Sequence, residues 1–287
     1  MTFGTSTEFI GFLPPPGDAI SNYNRTIHHD EQSSAVPAAF KEAMSVSEEV
    51  FVKDQGMPLE NELDGDDARS FHWIVYASVG TSTSSPPASL PKATTQPESA
   101  GHSRKTSRDL NEERRNSGST ASRVAVGTIR LVPPPHTSHD STTPSGGNEY
   151  PQFEPSEPYI KLGRLATLPP YRNIGLSKLL VNAALEWATH HPKEVVKPLS
   201  PAEEEARKLG HGEEQQQWKG LVLVHAQAQV EGFWARYGFV RSAEMGTWIE
   251  EGIEHIGMAK RIEVKGIDFG QTIRLPGMPM EQSSATY

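Results

Sequence analysis

The chain has 287 residues, a formal net charge of −9 and only 35% hydrophobic residues, with 24 glycines and 23 prolines. A chain of this composition cannot bury enough apolar surface to order its whole length. We therefore predict one core domain with insertions rather than two domains. The negative charge argues against binding of the phosphate backbone of nucleic acids by the whole molecule.

The sequence contains no cysteine. This excludes disulfides, thiolate zinc sites, iron–sulfur clusters and cysteine nucleophiles, and we expect no metal cofactor. No run approaches the roughly 18 apolar residues of a membrane-spanning helix. The first residues lack the basic and apolar parts of a secretory signal. We expect no membrane association and a cytoplasmic location, with a nuclear location as the alternative.

Several segments are poor in large apolar residues, which predicts tails and insertions. One of them carries a capping-box pattern in Ser200-Pro201-Ala202-Glu203 and is predicted to be partly helical. The domain map is a flexible N-terminal tail at 1–24, a core domain at 25–265, disordered insertions at 80–123 and 133–158, a partly helical insertion at 192–219, and a C-terminal tail at 266–287.

Basic clusters lie within the first insertion, at Arg104-Lys105-Thr106-Ser107 and Arg114-Arg115-Asn116-Ser117. Both resemble the sites of basophilic kinases, so phosphorylation within 104–117 is predicted, and each event would add about −1.5 to −2 charges. An unmodified polar linker is the alternative interpretation.

Hydrophobic periodicity gives the elements of the core in chain order. Apolar residues at spacings of three and four over 176–187 predict an amphipathic helix. The strand before it is apolar on both faces, which predicts a central position. The full order is helix 37–52, strands 71–79 and 124–132 paired around the first insertion, strand 159–168, helix 176–187, strand 221–225, helix 228–237 and strand 255–262. This order predicts a mixed α/β (α+β) fold.

The junction after the central strand carries the most informative motif. Two prolines lead into Arg172-Asn173-Ile174-Gly175-Leu176-Ser177, which opens the long helix. The small residues let a ligand approach the backbone, and the free N–H groups and dipole of a helix start favour an anion. Arg172 and Lys178 add positive charge, so a pyrophosphate would fit here. An ordinary helix start is the alternative, and neither a P-loop nor a Rossmann pattern is present.

The sequence resembles the GNAT superfamily of acetyl-CoA-dependent N-acetyltransferases, in particular its small single-domain members. The family motif Arg/Gln-x-x-Gly-x-Gly/Ala matches 172–177, with Ser in the last position. The later motif Phe-Tyr-x-x-x-Gly-Phe matches 233–239. Further matches follow in chain order at 50–56 (VFVKDQG), 62–67 (ELDGDD) leading to His72, 226–227 (AQ), and 252–255 (GIEH) with Met258. The resemblance implies a mostly antiparallel central sheet flanked by helices in a single domain.

The resemblance also implies how acetyl-CoA would bind as co-substrate. Its pyrophosphate would lie on the N–H groups of the motif, and its pantetheine arm would pair with the central strand like an extra strand. A backbone N–H of that strand would also stabilise the oxyanion. Gln227 stands where many members have an Asn that contacts the pantetheine arm. The implied cofactor-binding residues are Leu165, Ala166, Thr167, Arg172, Asn173, Ile174, Gly175, Leu176, Ser177, Lys178 and Gln227.

One position departs from the family pattern. Many members use the Tyr of Phe-Tyr to protonate the leaving thiolate, but this chain has Trp234, whose indole N–H is not given up at neutral pH. Three alternatives follow: Tyr237 takes the role, solvent does, or the protein binds acetyl-CoA without efficient turnover. We favour Tyr237 or water.

The group that accepts the amine proton has several candidates. His72, His225 and His255 fall at predicted strand ends or edges, and a neutral imidazole suits this task, with a structural role as the alternative for each. A run of acids could line the substrate side and attract a cationic amine, or form a solvated face: Glu60, Glu62 and Asp64. The predicted catalytic residues are Tyr237, Trp234 and His225.

The predicted function is transfer of an acetyl group from acetyl-CoA to a primary amine by direct attack on the thioester. The acceptor is a small-molecule amine, and the subgroup resemblance makes glucosamine 6-phosphate one candidate. Polyamines, other small amines and protein lysines or N-termini stay open, as does a homodimer. The alternative function is a non-catalytic acyl-CoA-binding module whose insertions recruit partners, which Trp234 favours.

Overall fold

The computed structural model describes residues 9–80, 121–136, 155–196 and 217–265. The predicted kinase sites, the C-terminal tail, the capping box at 200–203 and the greater part of each insertion lie outside these ranges. The chain divides into two compact units, one comprising Met1–Val75 and Ala125–Tyr287 and the other Tyr76–Val124. In the second unit, the Arg123 guanidinium carbon lies 3.4 Å from the centroid of the Tyr76 ring, a cation–π contact.

The first unit contains most of a mixed sheet with the strand order β1-β2-β3-β4-β5-β8-β6, in which β7 pairs with β8. β4 and β5 run parallel. The pairs β1–β2, β3–β4, β5–β8, β6–β8 and β7–β8 are antiparallel. The strands are β1 (Ile10–Leu13), β2 (Phe71–Gly80), β3 (Ala121–Val132), β4 (Ile160–Thr167), β5 (Leu221–Gln227), β6 (Val240–Arg241), β7 (Thr247–Glu250) and β8 (Ile253–Arg261).

Helices flank this sheet. They are α1 (Ala38–Ser47), α2 (Leu176–His190), α3 (Pro192–Val195) and α4 (Glu231–Ala235). α1 continues directly as a π-helix over Glu48–Asp54. Sheet and helices together confirm the predicted fold class, and β4 is central as predicted. Among the described helices, none is long and apolar enough to cross a membrane.

The buried face of α2 differs slightly from the predicted stripe. The helix buries Leu180, Val181, Ala184, Leu185 and Ala188. Leu179, which the spacing placed in the stripe, is 42% exposed. The spacing therefore identified the helix correctly but placed its apolar stripe about one residue too early.

The prediction of a flexible tail at 1–24 is wrong for the described part of that segment. β1 pairs with β2, and the Phe12 ring lies 5.1 Å from the Trp73 ring. Ile20 and Tyr23 are buried against α1. A strand of four residues is too short to give a periodic signal, and the surrounding prolines and glycines hid it.

The predicted insertions are also wrong at their edges. β2 and β3 extend to Gly80 and Ala121, so strand replaces insertion at both ends of 80–123. His136 stacks on the Tyr159 ring at 4.1 Å, inside the start of 133–158. In 192–219, α3 opens with a buried Pro192, and Trp218 is fully buried with its indole N–H donated to the Leu221 carbonyl at 2.8 Å.

Candidate active site

The two parallel strands at the centre of the sheet separate part-way along. Their pairing covers Ile160–Leu162 against Val222–Val224, although the strands continue to Thr167 and Gln227. On the side facing β3, the register of β4 shifts, and within that shift Arg164 has a φ of 50°. A bulge of this kind bends a strand. The described ladder with β5 therefore ends before Leu165, Ala166 and Thr167.

A cavity of 960 Å³ occupies the cleft between the separated strands. It is lined by the end of β4, the turn into α2, the end of β5, α4 and the residues after it, the π-helix and the turn before β8. All three predicted catalytic residues line it, and so does every predicted cofactor-binding residue except Ile174, which is 65% exposed. Residues predicted from four separate stretches of sequence thus meet in one place.

The turn into α2 has the geometry of an anion site. Gly175 precedes the helix with a φ of 91°, a left-handed conformation that favours glycine. Within the described residues no side chain caps this helix, and its first turn closes with the Leu179 N–H donating to the Gly175 carbonyl at 3.1 Å. The N–H groups of residues 176–178 are therefore open to a ligand. The Thr167 and Ser177 hydroxyls lie 3.0 Å apart and join β4 to this turn.

Two adjacent residues at the end of the π-helix reach across the cleft. The Asp54 carboxylate accepts a hydrogen bond from the Arg172 guanidinium at 3.0 Å, and Arg172 also donates Nε–H to the Thr167 carbonyl at 3.0 Å. The Gln227 amide donates to the Gln55 side-chain oxygen at 2.9 Å. Asp54 and Gln55 thus contact two of the side chains predicted to bind the cofactor, Arg172 and Gln227.

Charged side chains line the opposite part of the cavity. The Arg164 guanidinium lies 3.0 Å from the Glu62 carboxylate and 3.5 Å from the Asp64 carboxylate. The buried Arg130 guanidinium pairs with Asp64 at 2.8 Å and with Asp67 at 2.7 Å. Two strands of the sheet, β3 and β4, are therefore tied to the acidic loop 62–67 by ion pairs.

Two carboxylates of that loop that line the cavity, those of Glu62 and Asp64, have different acidities. Burial raises the pKa of Glu62, and the Arg164 guanidinium only partly opposes this shift. Burial would also raise the pKa of Asp64, but the Arg130 guanidinium, with Arg164 behind it, holds that pKa well below its usual range. Asp64 consequently stays ionised at neutral pH, whereas Glu62 holds a proton more readily than an ordinary glutamate.

The three predicted catalytic residues differ in their surroundings. Trp234 is 5% exposed and packs edge-on against Phe239 at 5.2 Å. Tyr237 is half-buried, and burial raises its pKa, so its hydroxyl stays protonated at neutral pH. The His225 ring packs edge-on against Trp248 at 4.9 Å. Of the two aromatic side chains at 234 and 237, only the phenol of Tyr237 has the chemistry of a proton donor.

Comparison with known proteins gives a family match over part of the chain. Residues 93–210, about two fifths of the chain, match the sequence model of the Acetyltransferase (GNAT) family, and the described part of that match contains β3, β4, the turn at 172–175 and α2. The chain carries a GNAT acetyltransferase domain. It is accordingly an acyltransferase of the acyl-CoA-dependent kind. No curated protein matches the chain.

Two of the solved structures that are similar to the chain are bacterial proteins. An acyl-CoA N-acyltransferase from Pseudomonas aeruginosa is 18% identical, with a TM-score of 0.38, over 82% of this chain and 95% of its own. ElaA from Escherichia coli is also 18% identical, with a TM-score of 0.39, over 82% of this chain and 96% of its own.

One candidate for the proton acceptor, His72, and one acid predicted to line the substrate side, Glu60, lie away from the cavity. His72 does not line it, is 4% exposed, and packs edge-on against Phe40 at 5.5 Å; burial lowers its pKa to about 4. Its surroundings are those of a structural histidine. Glu60 is exposed and does not line the cavity either. His255 does line it, with Nδ1 at 2.9 Å from the Ile253 carbonyl oxygen.

Sequence reasoning missed the cationic partners of the acidic loop. Arg130 and Arg164 lie in strands that are otherwise largely apolar, and a charge in a buried strand needs a partner. That rule could have joined the two arginines to the acids at 62–67. Nothing local to Asp54 or Gln55 indicates their contacts, which lie 118 and 172 residues away in sequence. Among the described residues, no cluster of His, Asp or Glu has the arrangement of a metal site.

Proposed function

We propose that the chain binds acetyl-CoA in this cavity and transfers the acetyl group to a primary amine. The observation that carries the proposal is the meeting of the turn into α2, the end of β4 beyond its described pairing with β5, and the predicted catalytic side chains around one cavity. An acyltransferase needs its donor and acceptor side by side, and a cleft in the sheet with charged groups at both ends suits this requirement.

The cofactor would be held by groups of three kinds. The diphosphate would accept hydrogen bonds from the first N–H groups of α2 and pair with Arg172 and Lys178. The pantetheine arm would continue the sheet along Leu165–Thr167, where the described pairing with β5 has ended. Gln227 would hold an amide of that arm from the β5 side.

The reaction would proceed without a covalent enzyme intermediate. The amine nitrogen uses its lone pair to attack the thioester carbonyl carbon, and a backbone N–H of β4 stabilises the resulting oxyanion. The carbon–sulfur bond then breaks, and the thiolate takes a proton from Tyr237 or from water. Tyr237 lines the cavity and the buried Trp234 cannot supply this proton, which favours the tyrosine.

Replacing Tyr237 with Phe tests the identity of the proton donor. If Tyr237 protonates the thiolate, kcat falls by about tenfold to a hundredfold, the lower part of the range for a positioned acid. The basic limb of the pH profile of kcat is also lost, because that limb reports deprotonation of the phenol. An unchanged kcat and pH profile would assign the protonation to water.

Replacing Asp54 with Asn tests whether the end of the π-helix competes with the cofactor. The Asp54–Arg172 pair is partly exposed, with side chains 37% and 46% exposed, so its contribution is small. We expect the Kd for CoA to fall by about two- to fivefold, because the diphosphate no longer has to displace a carboxylate. Glu49→Gln, which removes an exposed pair with Lys53 one turn earlier, is the matched control and leaves Kd unchanged. A weaker affinity in Asp54→Asn would show instead that Asp54 orients Arg172 for the cofactor.

The acceptor side of the cavity favours a cationic amine. Glu62, Asp64, Glu250 and Glu251 line it, and the cations Arg130 and Arg164 are engaged by carboxylates. Glucosamine 6-phosphate, the candidate named from the subgroup resemblance, carries a phosphate that would need a cationic pocket of its own. The comparisons do not support that sugar, and we propose a small cationic amine without a phosphate group.

Release of the free CoA thiol from acetyl-CoA tests the function. The wild-type chain is assayed with a panel of amines: 1,4-diaminobutane, phenethylamine, glucosamine 6-phosphate and a peptide with a free N-terminus. We expect turnover with at least one member, and faster turnover with the diamine than with the sugar phosphate. CoA binding with no turnover above background would favour the alternative function, a non-catalytic binding module. Trp234 is the residue that favours this alternative.

A further inference from the structure

We propose that Glu62 accepts the proton of the attacking amine and that Arg164 is the positioning residue that holds it in place. The proposal rests on the function proposed above, because it assigns a role within that reaction. It goes beyond the histidines considered from the sequence, and it is favoured because the Glu62 side chain is tied to β4 by an ion pair.

Glu62 lines the cavity although it is 1% exposed to solvent. Its carboxylate lies 3.0 Å from a guanidinium nitrogen of Arg164. The same guanidinium donates hydrogen bonds to the backbone carbonyls of Glu62 and, at 3.2 Å, of Asn61. Arg164 therefore fixes both the main chain and the side chain of residue 62, which limits the rotamers that the carboxylate can adopt.

Arg164 belongs to the strand that would carry the donor. It lies in the register shift of β4 with a φ of 50°, immediately before Leu165, the first residue proposed to pair with the pantetheine arm. An L residue in the left-handed region costs about 1 kcal/mol or more and persists where the surrounding contacts hold it. The contacts of Arg164 with residues 61–64 are such contacts, so the proton acceptor and the donor strand are joined through one residue.

Other carboxylates that line the cavity have described partners outside β4. Asp64 and Asp66 are held by the arginines 130 and 69, at 2.8 Å in each case. Glu251 accepts a hydrogen bond from Asn61 at 2.6 Å, and Glu250 accepts one from the Trp248 indole at 3.2 Å.

The groups that face Glu62 set its proton affinity. Besides Arg164 of β4, they are Ser47 of α1, which donates a hydrogen bond, Glu48 of the π-helix and Asp67 of its own loop. Burial is the largest cause that raises its pKa, the two neighbouring carboxylates add to it, and Arg164 and Ser47 oppose it. A carboxylate with a raised pKa is a better match for proton transfer near neutral pH than an exposed one.

The proton balance is simple. A cationic amine transfers one N–H proton to the Glu62 carboxylate, and its nitrogen attacks the thioester carbonyl with the freed lone pair. The product is the amide, the CoA thiolate leaves and is protonated as described above, and Glu62 is left as a neutral carboxylic acid. Loss of that proton to solvent restores the carboxylate for the next cycle.

The test compares Glu62→Gln with the wild type, using the amine of the panel that the wild type turns over fastest. At pH 7 we expect kcat/KM to fall by about a hundredfold to a thousandfold, since a positioned base is worth about 10² to 10⁴. The difference in kcat/KM between the variant and the wild type becomes smaller as the pH rises toward the pKa of the amine, about 10, because free amine then forms in solution. Glu60→Gln, two residues away and exposed, is the matched control and keeps the wild-type rate.

The variants Arg164→Gln and Arg164→Lys distinguish a positioning role from a purely structural one. The quantity that distinguishes them is the pH profile of kcat/KM. Arg164 lowers the pKa of Glu62, so its loss shifts the acidic limb of the pH profile of kcat/KM to higher pH. The Lys variant keeps the charge and is expected to keep most of the wild-type profile. Calorimetric titration of every variant with CoA checks that the fold is intact, with a Kd within about twofold of the wild-type value.

Two outcomes would overturn the proposal while the wild type is active. One is a Glu62→Gln variant that keeps kcat/KM within about threefold of the wild type. The other is a loss in that variant that is the same at every pH. A wild-type chain that neither binds CoA nor acetylates any amine of the panel would instead refute the function proposed above.

Discussion

Replacing Arg130 with Leu is expected to lower the free energy of unfolding by about 3–5 kcal/mol, the usual cost of removing one partner from a buried ion pair. The Arg130 and Asp67 side chains are 7% and 2% exposed, and their charged atoms lie 2.7 Å apart. Without the guanidinium, the Asp67 carboxylate would be buried without its charge partner, and Asp64 would lose its 2.8 Å contact as well. Urea denaturation followed by circular dichroism measures the change.

The control for this variant is Arg241→Leu, since Arg241 has an exposed side chain 3.5 Å from Glu231. The free energy of unfolding of this control should lie within about 0.5 kcal/mol of the wild-type value. The double variant Arg130→Leu/Asp67→Asn should regain part of the lost free energy of unfolding, because it also removes the buried charge of Asp67 that has no partner. A single variant as stable as the wild type would contradict this account of how β3 is held to the acidic loop.

The ion pair of Arg130 with Asp64 gives a defined pH dependence. Because the folded state lowers the pKa of Asp64, the pair stabilises the fold above the unfolded-state pKa of about 4. This contribution is lost as the pH falls below that value toward the folded-state pKa. The stability gap between the wild type and Arg130→Leu is therefore constant between pH 5 and 7 and narrows in more acidic solution. A gap that widens with acid would contradict the assignment.

Reversing the charge of Arg172 is expected to have the largest effect on cofactor affinity. In the proposed complex, the variant Arg172→Glu removes a charge-assisted hydrogen bond to the diphosphate and places a carboxylate beside it. Together these changes cost about 2–4 kcal/mol, which raises the Kd for CoA by about 30-fold to 1,000-fold. The affinity for pantetheine, which lacks the diphosphate, should change little. Calorimetric titration with each ligand measures the two effects.

Arg241→Glu is a closely matched control, because the Arg241 and Arg172 side chains are both 46% exposed and both pair with one carboxylate. Arg241 does not line the cavity. The variant Arg241→Glu should therefore have the same Kd for CoA as the wild type. If both reversals weakened binding equally, the effect would come from the net charge of the molecule and not from the turn before α2.

The parts of the fold that the sequence predicted are those with a local signal. The amphipathic period of α2 and the apolar run of β4 are properties of neighbouring residues, and both elements lie where they were expected. The turn at 172–177 was also recognisable, because its glycine and its cations are adjacent in the chain. Local periodicity and local chemistry fix elements and helix starts without any knowledge of tertiary contacts.

The parts that were missed depend on distant residues. β1 is a short strand that forms by pairing with β2, some 60 residues later in the chain. The ion pairs of Arg130 with Asp64 and Asp67 span 66 and 63 residues. The seven-residue π-helix at Glu48–Asp54 was predicted as ordinary helix, and π-helical segments of this kind are frequent at functional sites. None of these features has a pattern in its own neighbourhood that would distinguish it.

Calorimetric titration of the wild-type chain with CoA tests the central claim most directly. The account predicts saturable binding of one CoA per chain, weakened by added salt because the diphosphate is held by cations and helix N–H groups. Absence of any heat of binding, over CoA concentrations up to the millimolar range, would contradict it.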